Sequence, residues 1–234
     1  MRYVYKIVGT CDRAVDTALL IFFLLFMLIG GYGVYDSYLV YQNANDTSIL
    51  KYKPTGDTLP EKKISENMIA WLTMDDTSID YPVMQGRTNN DYLNLNPYGE
   101  YALSGSIFLD SNNSKMFDDG YSLIYGHHME NKGMFGALDD YKNEKFVKKH
   151  RTGRLVLDDR TLKLRVFAVL DVPATNEYVF NPTAHSADEV VRKMHSYSLY
   201  WDDKADTAGK QIIALSTCKS PESDDRTVVV TYEE

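Results

Sequence analysis

Cys218 lies in the run QIIALSTCKS, where an apolar, strand-like stretch gives way to small polar residues. A thiol at a strand tip is held rigidly and can face a cleft, and its thiolate is a nucleophile toward acyl groups. A buried structural cysteine is the alternative, since unpaired cysteines are commonly interior. A nucleophilic thiol needs a group that moves its proton. Of the five histidines, His127 and His128 stand apart because they follow YSLIYG, again at a strand end, and precede the polar stretch MENKG. His150 and His195 fall in polar, helix-like segments and His185 in the loop NPTAHSAD, so these three read as solvated surface residues. Successive side chains on a strand point to opposite faces, so His127 and His128 would chelate one ion poorly. No other cluster has ligand spacing, and no metal site is expected. Arg226 lies eight residues after Cys218 and opens the strand-like run TVVVTY. A loop of that length lets two antiparallel strands pair, and a guanidinium there can donate to a carbonyl oxygen as it gains negative charge. A surface pair with Asp224 or Asp225 is the alternative for Arg226.

The elements that must position these residues are short. Strand character appears at 79–84, 105–110, 121–125, 154–157, 162–170, 211–217 and 227–232, in runs rich in β-branched and aromatic residues and bounded by Gly, Asp, Asn or Pro. Helices are expected over 134–150, with Phe135, Leu138, Tyr141 and Phe146 as the apolar stripe, and over 187–201, opened by a capping box from Ser186 to Glu189. Strands outnumber helices, which argues against a parallel α/β sheet and for a mainly β fold with helical insertions, a closed or nearly closed barrel.

The chain has 234 residues, a formal net charge of −8 and two cysteines. That excludes a disulfide scaffold, a Cys-rich zinc module and a general nucleic-acid binder, which needs a basic face. Residues 17–35, TALLIFFLLFMLIGGYGVY, carry no charge. As a helix they span about 28 Å, close to the roughly 30 Å of a bilayer core. Arg2, Lys6 and Arg13 precede them, and no basic residue follows until Lys51. The positive-inside rule therefore places 1–16 in the cytoplasm and the remainder outside. A cleaved signal peptide is the rival reading, weakened by the length of the run and the lack of an Ala-x-Ala site. Residues 36–60 read as a stalk or a first helix leading off the membrane, then a linker, and 61–234 as the folded extracellular domain. Cys11 and Cys218 then lie on opposite sides of the membrane and cannot pair within one chain.

Together these pieces resemble the sortases, class B in particular. WLTMDDTSIDYPVMQG (71–86) and GSIFLD (105–110) are similar to the early strands of such an enzyme. LIYGHHM (123–129) with the 134–141 segment is similar to its histidine region, and ALSTC (214–218) with Arg226 to its cysteine signature. That signature is often written Thr-Leu-x-Thr-Cys; Ala214 departs from it at the end far from the sulfur. The resemblance implies an eight-stranded sortase β-barrel with an N-terminal helical extension and a long helix before the cysteine strand. It implies that Cys218 attacks the carbonyl after a threonine in a sorting signal of the Asn-Pro-x-Thr or Ser-Pro-x-Thr type. His127 then handles the amine protons, and Arg226 holds the oxyanion. The acyl group passes to an amine of a peptidoglycan precursor, without a cofactor. Carried over by position, Asn89, Leu93, Ser216 and Tyr178 are substrate contacts. Two other classes remain open: a membrane-anchored cysteine endopeptidase that only hydrolyses, and a non-catalytic receptor or adhesin ectodomain.

Overall fold

The computed structural model describes residues 2–44, 46–129, 131–217 and 224–234. Two compact units divide near Gln42. In the first, helix α1 (Arg2–Ala44) carries an apolar stretch whose side chains, Leu19 to Val34, are exposed. It is long and apolar enough to cross a membrane.

The second unit is built on nine strands: β1 (Met68–Met74), β2 (Asp80–Met84), β3 (Ile107–Leu109), β4 (Tyr121–Gly126), β5 (Thr152–Val156), β6 (Thr161–Pro173), β7 (Ser198–Trp201), β8 (Ile212–Thr217) and β9 (Asp225–Glu233). Three short helices join them: α2 (Glu144–Lys149), α3 (Glu177–Phe180) and α4 (Ala187–Met194). Eight strands close into a barrel in the order β1-β2-β3-β4-β8-β9-β6-β5, with β5 returning to β1. β7 lies outside this ring, paired to β6. Two pairs are parallel, β2 with β3 and β4 with β8; the rest are antiparallel. The expected eight-stranded β-barrel is the observed fold.

All six residues of β8 are buried, which explains the apolar run from Ile212 to Leu215. One of its faces turns into the barrel. Ile212 and Ala214 on the other face pack with Phe167, Leu170 and Val228 under Val179 of α3 and Val190 and Met194 of α4. A second cluster gathers Trp71, Met84, Phe108 and Val156 with Ile49 and Leu59, so the segment expected as stalk and linker contributes to the barrel's packing.

Three local expectations differ from the structure. The helix over 134–150 is split into a 3-10 helix (Phe135–Lys142) and α2, because Asn143 adopts extended dihedrals and accepts from Lys145 N, capping α2. The helix over 187–201 stops at Met194. Ser198–Trp201 instead pairs with β6, where Trp201 meets the Phe167 ring edge-on at 5.3 Å, tertiary contact overriding helical periodicity. Ser186 does cap α4, accepting from Glu189 N. His150 is buried rather than solvated, stacked on Phe146 at 4.0 Å.

Candidate active site

β4 and β8 run side by side with Gly126 opposite Thr217, so both strands end at one edge of the barrel. β9 returns antiparallel to β8, its last ladder pair there being Ser216 with Val228. An open groove of about 350 Å³ lies at this end. His127 and Arg226 line it, with Asn89, Asn90 and Leu93 from the segment between β2 and β3, and the rings of Phe108, Tyr125 and Phe180. The groove is thus mostly apolar with a few polar groups, the usual makeup of a site for an extended ligand.

His127 follows the last residue of β4. Its Nε2 lies 2.6 Å from the Leu93 carbonyl oxygen. A carbonyl can only accept, so Nε2 carries hydrogen and Nδ1 is the nitrogen left for proton exchange. This bond requires a close approach at Gly105, whose φ is +58°. A Cβ there would come within 2.5 Å of Leu93 O and 2.9 Å of His127 Cδ2. Arg226, the second residue of β9, directs Nη1 to the Thr217 carbonyl at 3.3 Å, reaching back across the strand ends.

Beneath the groove lies Asp110, which is almost fully buried. Its carboxylate accepts from Asn89 Nδ2 at 2.8 Å, Tyr125 OH at 3.1 Å, Asn112 N at 2.9 Å and Asn112 Nδ2 at 3.0 Å. Asn89 Oδ1 in turn accepts from Ser111 N at 2.7 Å. The Asn89 amide is therefore clamped at both ends, an ordered groove wall in place of a mobile side chain. Burial and the nearby Asp110 charge also push the Tyr121 phenol well above its ordinary value, and its hydroxyl donates to Val179 O.

The structure brings His127, Arg226, Asn89 and Leu93 to one groove. Two other expected contacts sit elsewhere. Ser216 is fully buried and donates to the Thr217 carbonyl, and Tyr178 stacks on His185 at 4.3 Å with Lys193 over its ring. Cys218 lies outside the described residues. His128 turns away from the groove and bonds Asp139 Oδ2 at 2.6 Å. Among the described residues no group of three His, Cys, Asp or Glu side chains could hold a metal. Sequence reasoning missed Tyr125, Phe180, Asp110 and Asp139. The only signal was an Asp closing an apolar run in SIFLD, which is as common at turns as beneath binding sites.

A barrel of this strand order, with an imidazole and a guanidinium meeting in a groove at the ends of β4 and β9, has the architecture of a sortase. Residues 72–234 match the sortase domain model, and the chain belongs to the sortase family, a family of cysteine transpeptidases. The relatives are of class B. Sortase B of Listeria monocytogenes is 33% identical over 159 residues, 67% of this chain and 65% of that protein, so the match spans just under two thirds of that relative. Sortase B of Staphylococcus aureus is 31% identical over 173 residues, 72% of this chain and 71% of that protein. A Streptococcus pyogenes class B sortase involved in pilus biogenesis superimposes with TM-score 0.67 at 36% identity, covering 73% of this chain and 94% of that one. The Staphylococcus aureus sortase B–substrate complex gives TM-score 0.66 at 30% identity, covering 72% and 80%.

Proposed function

We propose that this chain is a membrane-anchored cysteine transpeptidase that cleaves a C-terminal sorting signal of the Asn-Pro-x-Thr or Ser-Pro-x-Thr type and joins the acyl product to a peptidoglycan amine. The Cys218 thiolate attacks the threonine carbonyl carbon, forming a C–S bond. Arg226 donates hydrogen bonds to the oxyanion. The C–N bond breaks as His127 Nδ1–H gives its proton to the leaving amine. In the second half the incoming amine attacks the thioester, the C–S bond breaks, and His127 takes the amine proton. A thioester hydrolyses slowly and reacts readily with amines, so the intermediate persists until an amine arrives. In this reading residues 1–16 are cytoplasmic, 17–35 cross the membrane, 36–60 lead from it into the barrel, against which Ile49 and Leu59 pack, and 61–234 act outside the cell, where exported chains and cell-wall precursors pass.

One observation carries the proposal: His127 and Arg226 share a groove at the barrel edge where β8, the strand preceding Cys218 in sequence, ends beside β4. Solved sortase B structures with a substrate and with a glycine tripeptide support a peptide donor and an amine acceptor as partners. The test incubates the full chain in detergent micelles with sorting-signal peptides, with and without triglycine, followed by mass spectrometry. A thioester on Cys218 and an amine-dependent ligated product are expected. Hydrolysed peptide alone, whatever the amine concentration, replaces transpeptidation with the endopeptidase reading; no thioester with any peptide overturns the enzyme reading.

A further inference from the structure

The ladder between β8 and β9 ends at Ser216 and Val228. One step beyond, the two strands are joined by side chains. Thr227 N donates to Thr217 Oγ1 at 3.2 Å, and the Thr227 hydroxyl donates to Asp139 Oδ1 at 3.0 Å. The other Asp139 oxygen takes His128 Nε2 at 2.6 Å. Thr217 and Thr227 are both buried, so losing a partner leaves a polar group without water to replace it. Asp139 belongs to the 3-10 helix after β4, and Lys142 of the same helix lies 3.6 Å from both Asp139 and Asp171 of β6. A single carboxylate thus links three things: His128, the first buried residue of β9, and through it the last residue of β8.

We propose that Asp139 is a positioning residue of the reaction: with His128 it holds Thr227, and so fixes the aim of Arg226 and the register of Thr217, the residue before Cys218. The inference rests on the transpeptidase reading above. Arg226 is bonded to Thr217 O and immediately precedes Thr227, so a shift of Thr227 moves the guanidinium relative to the strand that leads to the nucleophile. The groove walls at Asn89 and Leu93 are carried by other elements and stay in place. The loss therefore falls on turnover and spares peptide binding.

The experiment is a double-mutant cycle on the full chain in detergent micelles, with an Asn-Pro-x-Thr peptide as probe. Asp139→Ala and Thr227→Val are each expected to lower kcat roughly ten- to a hundredfold, the cost of misplacing a reacting group by about an ångström, with KM within about twofold. The double variant should be no worse than the less active single variant, because both remove one bond. Thr227→Ser, which keeps the hydroxyl, should recover most of the loss. Multiplying effects, a Thr227→Val chain with wild-type kcat, or a loss carried by KM overturns the proposal. If Asp139→Ala does not fold, judged by circular dichroism, the Thr227→Val and Thr227→Ser pair decides alone. A wild-type chain without thioester or ligated product overturns the parent function, and the proposal with it; an active wild type with multiplying effects overturns the positioning role alone.

Discussion

The end of β4 delivers two adjacent imidazoles into opposite surroundings. His127 lines an open groove and bonds a backbone carbonyl, while His128 turns to the other side and bonds a carboxylate. Both are half-buried, so burial does not separate them; the partner does. A neutral carbonyl directs a ring and leaves one nitrogen for exchange, whereas a carboxylate makes a stronger, charge-assisted tie. The first environment suits a group that moves protons and the second a group that holds structure. Alternation along an extended chain produces this division at no cost in sequence length.

The sharpest way to break the comparison is to remove each ring in turn. His127→Ala should lower kcat/KM for peptide cleavage by about a thousandfold or more, the scale of a lost general acid–base. His128→Ala should cost about tenfold, acting only through the position of Thr227. The reverse ranking would exchange the two roles. Arg226→Lys comes next, with an expected loss of roughly a hundredfold, because a point charge cannot reproduce the guanidinium fork that bonds the Thr217 carbonyl and is proposed to hold the oxyanion. Near-normal turnover in that variant would reduce Arg226 to a strand-end contact.

How much of this was legible without coordinates follows the same division. Chemistry-bearing residues at strand ends could be read from position alone, since apolar runs ending in Gly-His or Ser-Thr mark where a sheet stops. β1 and β7 were not read from their own residues, for two reasons. SLYW continues the helical spacing of the preceding segment and becomes a strand only because β6 leaves an edge open beside it. MIAWLTM is a short apolar run that periodicity cannot assign. Supporting residues were silent for a deeper reason. Asp110 is an acidic residue near a turn until four donors converge on it, and Asp139 sits 88 positions from Thr227. Partnerships at that separation have no local signature.

Gly105 tests the groove side more finely. In Gly105→Ala the left-handed φ alone costs about 1 kcal/mol or more of stability. The new Cβ also meets Leu93 O and the His127 ring, both of which must move. Turnover should fall by about tenfold, as expected when a reacting group is displaced by less than an ångström, while Thr227 and its clamp stay intact. A variant that loses stability but keeps its kcat would show that the His127–Leu93 bond orders the ring without serving the reaction.

The smallest expected effect lies on the clamp side and depends on pH. Burial raises the Asp139 pKa, but hydrogen bonds from His128 and Thr227, with the charges of His128 and Lys142, outweigh it and hold the carboxyl below its ordinary value. A carboxyl depressed in the folded state adds stability that is fully present above the unfolded value, near 4, and is lost as pH falls through the lower folded value. Thermal unfolding of the wild type and of Asp139→Asn should therefore differ most near neutral pH and converge in strong acid. The Asp139 side chain is 43% exposed, so solvent screening keeps the gap to a few degrees or less. No gap at any pH from 7 to 3 would mean that the shape of the side chain, not its charge, maintains the link between His128 and Thr227. The isosteric Asn would then also retain turnover, which ties this measurement back to the two imidazoles.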